Sequence, residues 1–291
     1  MTDAPATPPR PTRLIATDLD GTLLHDDKTV SGRTIAALAA AEQAGIEVFF
    51  VTGRPARWMD VVSDHVHGHG LAICANGAAV VDLHRENRIV EVSPLDHTVA
   101  LDVVHALRAA APGTTFAVER TSGIHYEPQY PPFLLDPAAV IAPAEKLLAE
   151  DFAAPANPGP TNGAASDHPV LKLLAHHPEL DPDAFLTLAR AASGHLASFT
   201  RSSPTALLEI SGLGVSKAGT LARCCTERGI SPDEVVAFGD MPNDIEMLTW
   251  AGTSYAMANA HPDVLTATTG RTASNNDDGV AAVIEQILHE R

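Results

Sequence analysis

Three short apolar runs, RLIAT at 13–17, IEVFFVT at 46–52 and LAICA at 71–75, are separated by two segments of helical character. That alternation constrains the fold more than any other feature of the chain. The first intervening segment, SGRTIAALAAAEQAG, carries a candidate N-cap in Ser31 and a stop in Gly45. The second begins near Pro55, a residue suited to the first helical turn. Short apolar strands joined by helices predict a parallel sheet covered on both faces.

The pattern changes from 83 to 211. Strands there come in close pairs (IVEVS, TFAVE, GIHYE, VLKLLAH, LASFTR, ALLEIS) around helices at 96–110 and 181–192. Close pairing predicts an antiparallel α+β insert. Within it, 151–169 is rich in Pro, Gly, Ala and Asn and reads as a loop. The first pattern then returns, with a helix capped by Ser216 and ended by Gly229, a strand VVAFGD at 235–240, a helix containing Pro242, a strand SYAMAN and a closing helix. The expected organisation is a disordered tail at 1–10, a core at 11–82 and 212–291, and a cap domain at 83–211.

Open parallel sheets bind ligands beyond the carboxyl ends of their strands, and the polar residues of this chain gather there. Asp18 and Asp20 follow the first strand. Thr52, Gly53 and Arg54 follow the second, and Asn76 and Gly77 the third. Asp240, Asn243 and Asp244 follow the strand at 235–239, and Lys217 opens the helix before it. If the first and the 235–239 strands are neighbours, several carboxylates meet. Two unit charges about 4 Å apart repel by about 4 kcal/mol at an effective dielectric of ~20. A divalent cation relieves this, and an all-oxygen ligand set without His or Cys favours Mg²⁺.

The net charge of −17, from 19 Lys and Arg against 36 Asp and Glu, argues against nucleic acid and anionic membranes as partners. An anionic substrate then needs a metal or fixed cations at its site. Three cysteines, Cys74, Cys224 and Cys225, are too few and too badly spaced for a disulfide framework, and a reducing cytoplasmic location is expected. The longest apolar run is too short to span a bilayer, and the N-terminal residues lack the apolar segment of a secretory signal. No feature sets an oligomeric state.

The segments DLDGTLL, VTGRP, GVSKAGTL and GDMPNDIEML resemble, in order, the four motifs of the haloacid dehalogenase-like phosphatase superfamily. The position of the insert, ANGA before it and SNNDDGV at 274–280 resemble the Cof-type branch, which carries an α+β cap. The resemblance implies an α/β fold with a Rossmann-like parallel sheet core and a Mg²⁺-dependent phosphatase acting on a small phosphorylated metabolite. It makes Asp18 the nucleophile that forms an aspartyl-phosphate and Asp20 the acid and base. Asp18, Asp240 and the backbone carbonyl of Asp20 would hold the metal. Thr52, Gly53, Lys217 and Asn243 would bind the phosphate, with Asp244, Asn76 and Asn276 bracing the site from behind.

Other readings accompany each residue. Asp18 and Asp20 also suit a turn or cap, and Asn76 suits a turn in NG. A lysine in a first helical turn opposes the macrodipole, so Lys217 calls for an anion nearby. Arg54 could contact substrate or pair with acids. The histidines of HVHGHG at 65–70 lack a closed ligand set, which argues against zinc, and Trp58 and Trp250 are expected in the core. A phosphomutase or phosphotransferase using the same intermediate, or a non-catalytic sensor of a phosphorylated ligand, is the alternative to a phosphatase. Sugar phosphates, flavin mononucleotide and pyridoxal phosphate are substrates by family analogy.

Overall fold

A computed structural model describes residues 11–65, 70–131, 136–150, 152, 168–201 and 205–291. The tail at 1–10, four residues of the HVHGHG stretch and most of the loop at 151–169 lie outside the described residues. The first half runs β1 (Leu14–Thr17), α1 (Gly32–Gln43), β2 (Glu47–Val51), α2 (Asp60–Ser63), β3 (Leu71–Cys74), β4 (Ala79–Asp82) and β5 (Arg88–Val92). Next come α3 (His97–Ala110), β6 (Thr115–Arg120), β7 (Gly123–Tyr126), α4 (Ala144–Leu147), β8 (Val170–His176), α5 (Pro182–Ser193), β9 (Ala197–Thr200) and β10 (Leu207–Gly212). The chain closes with α6 (Lys217–Glu227), β11 (Val235–Gly239), α7 (Ile245–Trp250), β12 (Thr253–Ala256), α8 (Pro262–Ala267), β13 (Gly270–Arg271) and α9 (Gly279–His289).

Eight strands form the core sheet in the order β13-β12-β11-β1-β2-β3-β4-β5. The six from β13 to β3 are parallel, and β4 and β5 add an antiparallel edge. Alternate residues of β1 serve opposite faces. Ile15 packs with α1 and α9, whereas Leu14 and Ala16 pack with α6 and α7. That two-sided burial is why β1 reads as an unbroken apolar run. The chain leaves β1 toward β2 on one side and returns at β11 on the other, so Asp18 stands where the strand order reverses.

Local signals act as the sequence suggests. The Ser31 side chain accepts from Thr34 N at 3.0 Å, and Gly45 takes a left-handed φ of +76° after α1. Ser216 accepts from Gly219 N at 3.1 Å and so caps α6. All three cysteines are buried and free. Among the described residues, no helix is long and apolar enough to cross a membrane.

The second sheet has five antiparallel strands in the order β7-β6-β8-β10-β9. Phe116, Val118, Leu173, Leu208 and Ile210 turn to α3 and α5 and build that layer's core. The strand IVEVS, expected in the insert, is instead β5 and pairs with β4 in the core sheet. The β4–β5 hairpin covers the edge that β3 would otherwise expose. The two sheets are thus divided after β5, later in the chain than the expected boundary at 83.

Candidate active site

Residues distant in sequence meet at the end of β1. The backbone N–H of Asp18 donates to Phe238 O at 3.1 Å, which ties the loop after β1 to β11. Lys217, only 2% exposed, donates from Nζ to Asp18 Oδ1 at 2.6 Å and to Asp244 Oδ1 at 2.7 Å. The anion that a first-turn lysine calls for is therefore a pair of carboxylates. Asp244 Oδ2 accepts the backbone N–H groups of Asp240 and Met241 at 3.1 and 3.0 Å. Both Asp244 oxygens are engaged, so Asp244 acts as a bracket between Lys217 and the loop after β11.

Asp240 Oδ1 accepts from Thr22 Oγ1 at 2.9 Å. Ligand atoms of Asp18, Asp240 and Asp244 lie within 4.8 Å of one another, close enough to share a metal ion. Burial, helped by the neighbouring acids, pushes the Asp18 carboxyl well above its ordinary value although Lys217 opposes the shift. Burial, then the charge of Asp244, raises Asp240 to about 7. Lys217 itself is raised, because its two carboxylates outweigh the cost of burying it. A hard divalent cation fits this donor set, since it supplies the charge that one lysine cannot.

Asp240 rises from 3.8 to about 7 on folding, so its contribution is present at low pH and lost as pH climbs through 7. In metal-free protein, the Asp240→Asn variant should therefore gain melting temperature over wild type as the buffer is moved from pH 5 to 8. Equal melting curves at both pH values would contradict this.

Gly21 is required by the same geometry. Its φ is +77°, and a Cβ there would lie 2.3 Å from Asp240 Oδ2. Gly21→Ala must displace the Asp240 carboxylate, and turnover should fall by about 100-fold, the scale of a 1 Å misplacement. Steady-state assay of the folded variant checks this.

Thr52 and Gly53, after β2, line a cavity of about 280 Å³ together with Asp18, Asp20 and Asn243. Thr52 Oγ1 accepts from Arg54 N at 3.1 Å, a bond within the turn after β2. Asp20 is not one of the three clustered acids and pairs with cations instead. Arg54 grips it in a fork, Nε to Oδ2 at 2.6 Å and Nη2 to Oδ1 at 2.7 Å, and Lys28 adds a contact at 2.9 Å. Burial alone would raise Asp20, but the Arg54 and Lys28 contacts outweigh it and hold the carboxyl below its ordinary value. Arg54 thus lines the cavity and pairs with an acid at once.

Asn76 takes a left-handed φ of +56° and also makes side-chain bonds, donating to Glu209 Oε2 at 2.8 Å and accepting from Asn243 Nδ2 at 3.2 Å. The turn backbone and the side-chain bonds thus coexist at this residue. Asn276 is not brought to the acid cluster. Its side chain exchanges hydrogen bonds with Asp26, at 2.8 and 3.0 Å. The neighbouring Asn275 is the buried one, and it reaches Leu24 O at 2.9 Å. Trp58 is 41% exposed and lines the cavity instead of the core. Trp250 is half-buried against α6 and α7 residues.

The roof of the cavity comes from the second sheet and was not singled out from the sequence. Glu119, Ile124, Tyr126, Lys172, Leu174, Leu207 and Glu209 face the core residues across it. The available signal was a single charge inside each of three apolar strands, TFAVE, VLKLLAH and ALLEIS.

A sequence model of haloacid dehalogenase-like hydrolases matches residues 15–284, nearly the whole described chain. The chain belongs to that family. This haloacid dehalogenase-like hydrolase is 28% identical to the putative phosphatase YxeH of Bacillus subtilis, over 95% of its own length and 98% of the relative's. It is 30% identical to the pyridoxal phosphate phosphatase YbhA of Escherichia coli, over 94% and 97%. Its fold matches a solved haloacid dehalogenase-like hydrolase from B. subtilis at a TM-score of 0.75, with 25% identity and coverage of 94% and 99%. The hydrolase falls with the Cof-type phosphatases of the family and is a phosphoric monoester hydrolase.

Proposed function

We propose that the enzyme hydrolyses a small phosphorylated metabolite, with Mg²⁺ and through a phosphoryl group carried on Asp18, in a reducing cytoplasmic compartment. The observation that carries this reading is the contact of Lys217 with Asp18 and Asp244 beside Asp240, with Asp18 itself at the wall of a cavity large enough for a phosphate ester. Asp18, Asp240 and the Asp20 carbonyl are the groups for Mg²⁺, which when bound neutralises charge on the phosphoryl oxygens.

An Asp18 carboxylate oxygen attacks phosphorus, and the bond from phosphorus to the ester oxygen breaks. The leaving oxygen takes a proton from Asp20. Asp20 then removes a proton from water, whose oxygen attacks the same phosphorus. The bond to Asp18 breaks, and inorganic phosphate leaves. Lys217, Thr52, Gly53 and Asn243 hold the phosphoryl oxygens, because positioning and charge dominate this chemistry. An entering phosphate competes with Asp20 for Arg54, which frees Asp20 to carry the proton.

The test is phosphate release from p-nitrophenyl phosphate and a panel of phosphorylated metabolites. Activity should vanish when EDTA removes the metal and return with Mg²⁺. Turnover unaffected by EDTA, or none with any ester, refutes the reading.

A further inference from the structure

The face of the second sheet that roofs the cavity holds three charges: Glu119 on β6, Lys172 on the central β8, and Glu209 on β10. All three are buried. Two carboxylates against one lysine leave the face with one negative charge in excess. Arg57, which follows the phosphate-binding turn of the core, supplies the missing cation through a forked ion pair with Glu119. The charge set is therefore complete only when this sheet is docked on the core.

Lys172 and Glu209 do more than pair with each other. Lys172 Nζ also donates to Gly53 O at 2.7 Å. Glu209 Oε2 accepts from Asn76 Nδ2 at 2.8 Å, and Asn76 Oδ1 in turn accepts from Asn243 Nδ2 at 3.2 Å. Space around Gly53 is tight: a Cβ there would stand 3.3 Å from Asn76 Oδ1 and 3.5 Å from the Glu209 carboxylate. Two of the four groups assigned to the phosphate, Gly53 and Asn243, are thus set in place by side chains from the other sheet. A buried ion pair is seldom kept for stability, since well-packed apolar residues serve as well or better.

The geometry points to Lys172 and Glu209 as positioning residues that couple docking of the cap sheet to assembly of the phosphate cradle. This rests on the phosphatase reading above. Neither residue has to touch phosphorus. Lys172 orients the Gly53 peptide, and Glu209 orients Asn243 through Asn76. The cradle is then fully formed only when the cavity is roofed, so water alone meets an incomplete site.

The test uses the full chain and a double variant, Lys172→Met with Glu209→Leu, which removes both charges together and leaves neither stranded. Its melting temperature should stay within a few degrees of wild type. The inhibition constant for inorganic phosphate, a probe without a leaving group, should rise by about tenfold or more, the effect of losing charged hydrogen bonds. KM for p-nitrophenyl phosphate and for glycerol phosphate should rise by a similar factor. Unchanged phosphate inhibition, or a KM shift confined to one ester, overturns the proposal and makes the pair a leaving-group contact. If the double variant does not fold, Asn76→Gly decides, because glycine accepts the left-handed backbone while the link to Asn243 is cut. That variant should lose phosphate affinity similarly, and undiminished affinity overturns the proposal. Failure of the phosphatase reading would look different: wild type itself would release no phosphate from any ester.

Discussion

Replacing Asp18 with Asn will lower turnover of phosphate esters by about 1000-fold or more, because the neutral amide oxygen cannot displace the ester oxygen from phosphorus. The fold will survive the change. Asp18 is a carboxyl whose ionised form burial and the neighbouring acids disfavour more than Lys217 favours it, so a neutral residue of the same shape relieves the metal-free site. Lys217 keeps its 2.7 Å contact with Asp244. The expected result is a protein with wild-type melting temperature or higher in EDTA, and without measurable turnover. Assay and thermal melting of the same preparation check both halves.

Lys217→Met has the opposite balance. It removes the one cation that separates Asp18 from Asp244, leaving buried carboxylates with no counter-charge. Stranding buried charge in this way costs about 3–5 kcal/mol. The variant should melt several degrees below wild type at neutral pH. Acid should narrow the gap, since protonation of the stranded acids relieves the repulsion that Lys217 relieved before. A gap that stays constant from pH 5 to 8 would show that Lys217 is not neutralising these carboxylates. Activity should be lost as well, because Lys217 is one of the groups proposed to hold the phosphate.

Some of this was legible in the chain for simple reasons. A fully buried strand such as β1 shows as an unbroken apolar run, so the acids after it stand out. Lys217 stood out because it opposes its own helix. Gly45 and Ser31 act locally, and local signals survive in sequence. By contrast, β5 belongs to a hairpin whose pattern does not say which sheet it joins; that is decided by the open edge of β3. Trp58 was expected in the core because a large aromatic residue is usually buried, yet the turn after Pro55 directs it to the cavity. Asn275 and Asn276 are adjacent, and only the loop geometry decides which one is buried. The roof charges Glu119, Lys172 and Glu209 each occupy one position in a separate strand. Their meeting depends on the order β6-β8-β10, which no local pattern records.

The most direct measurement is to mix enzyme with Mg²⁺ and p-nitrophenyl phosphate, quench in acid within a turnover, and map the phosphoryl group by peptide mass spectrometry. It should be found on the peptide carrying Asp18 and be absent from Asp18→Asn. Phosphate release at the wild-type rate from Asp18→Asn, or a phosphoryl group trapped on any other residue, would contradict the assignment.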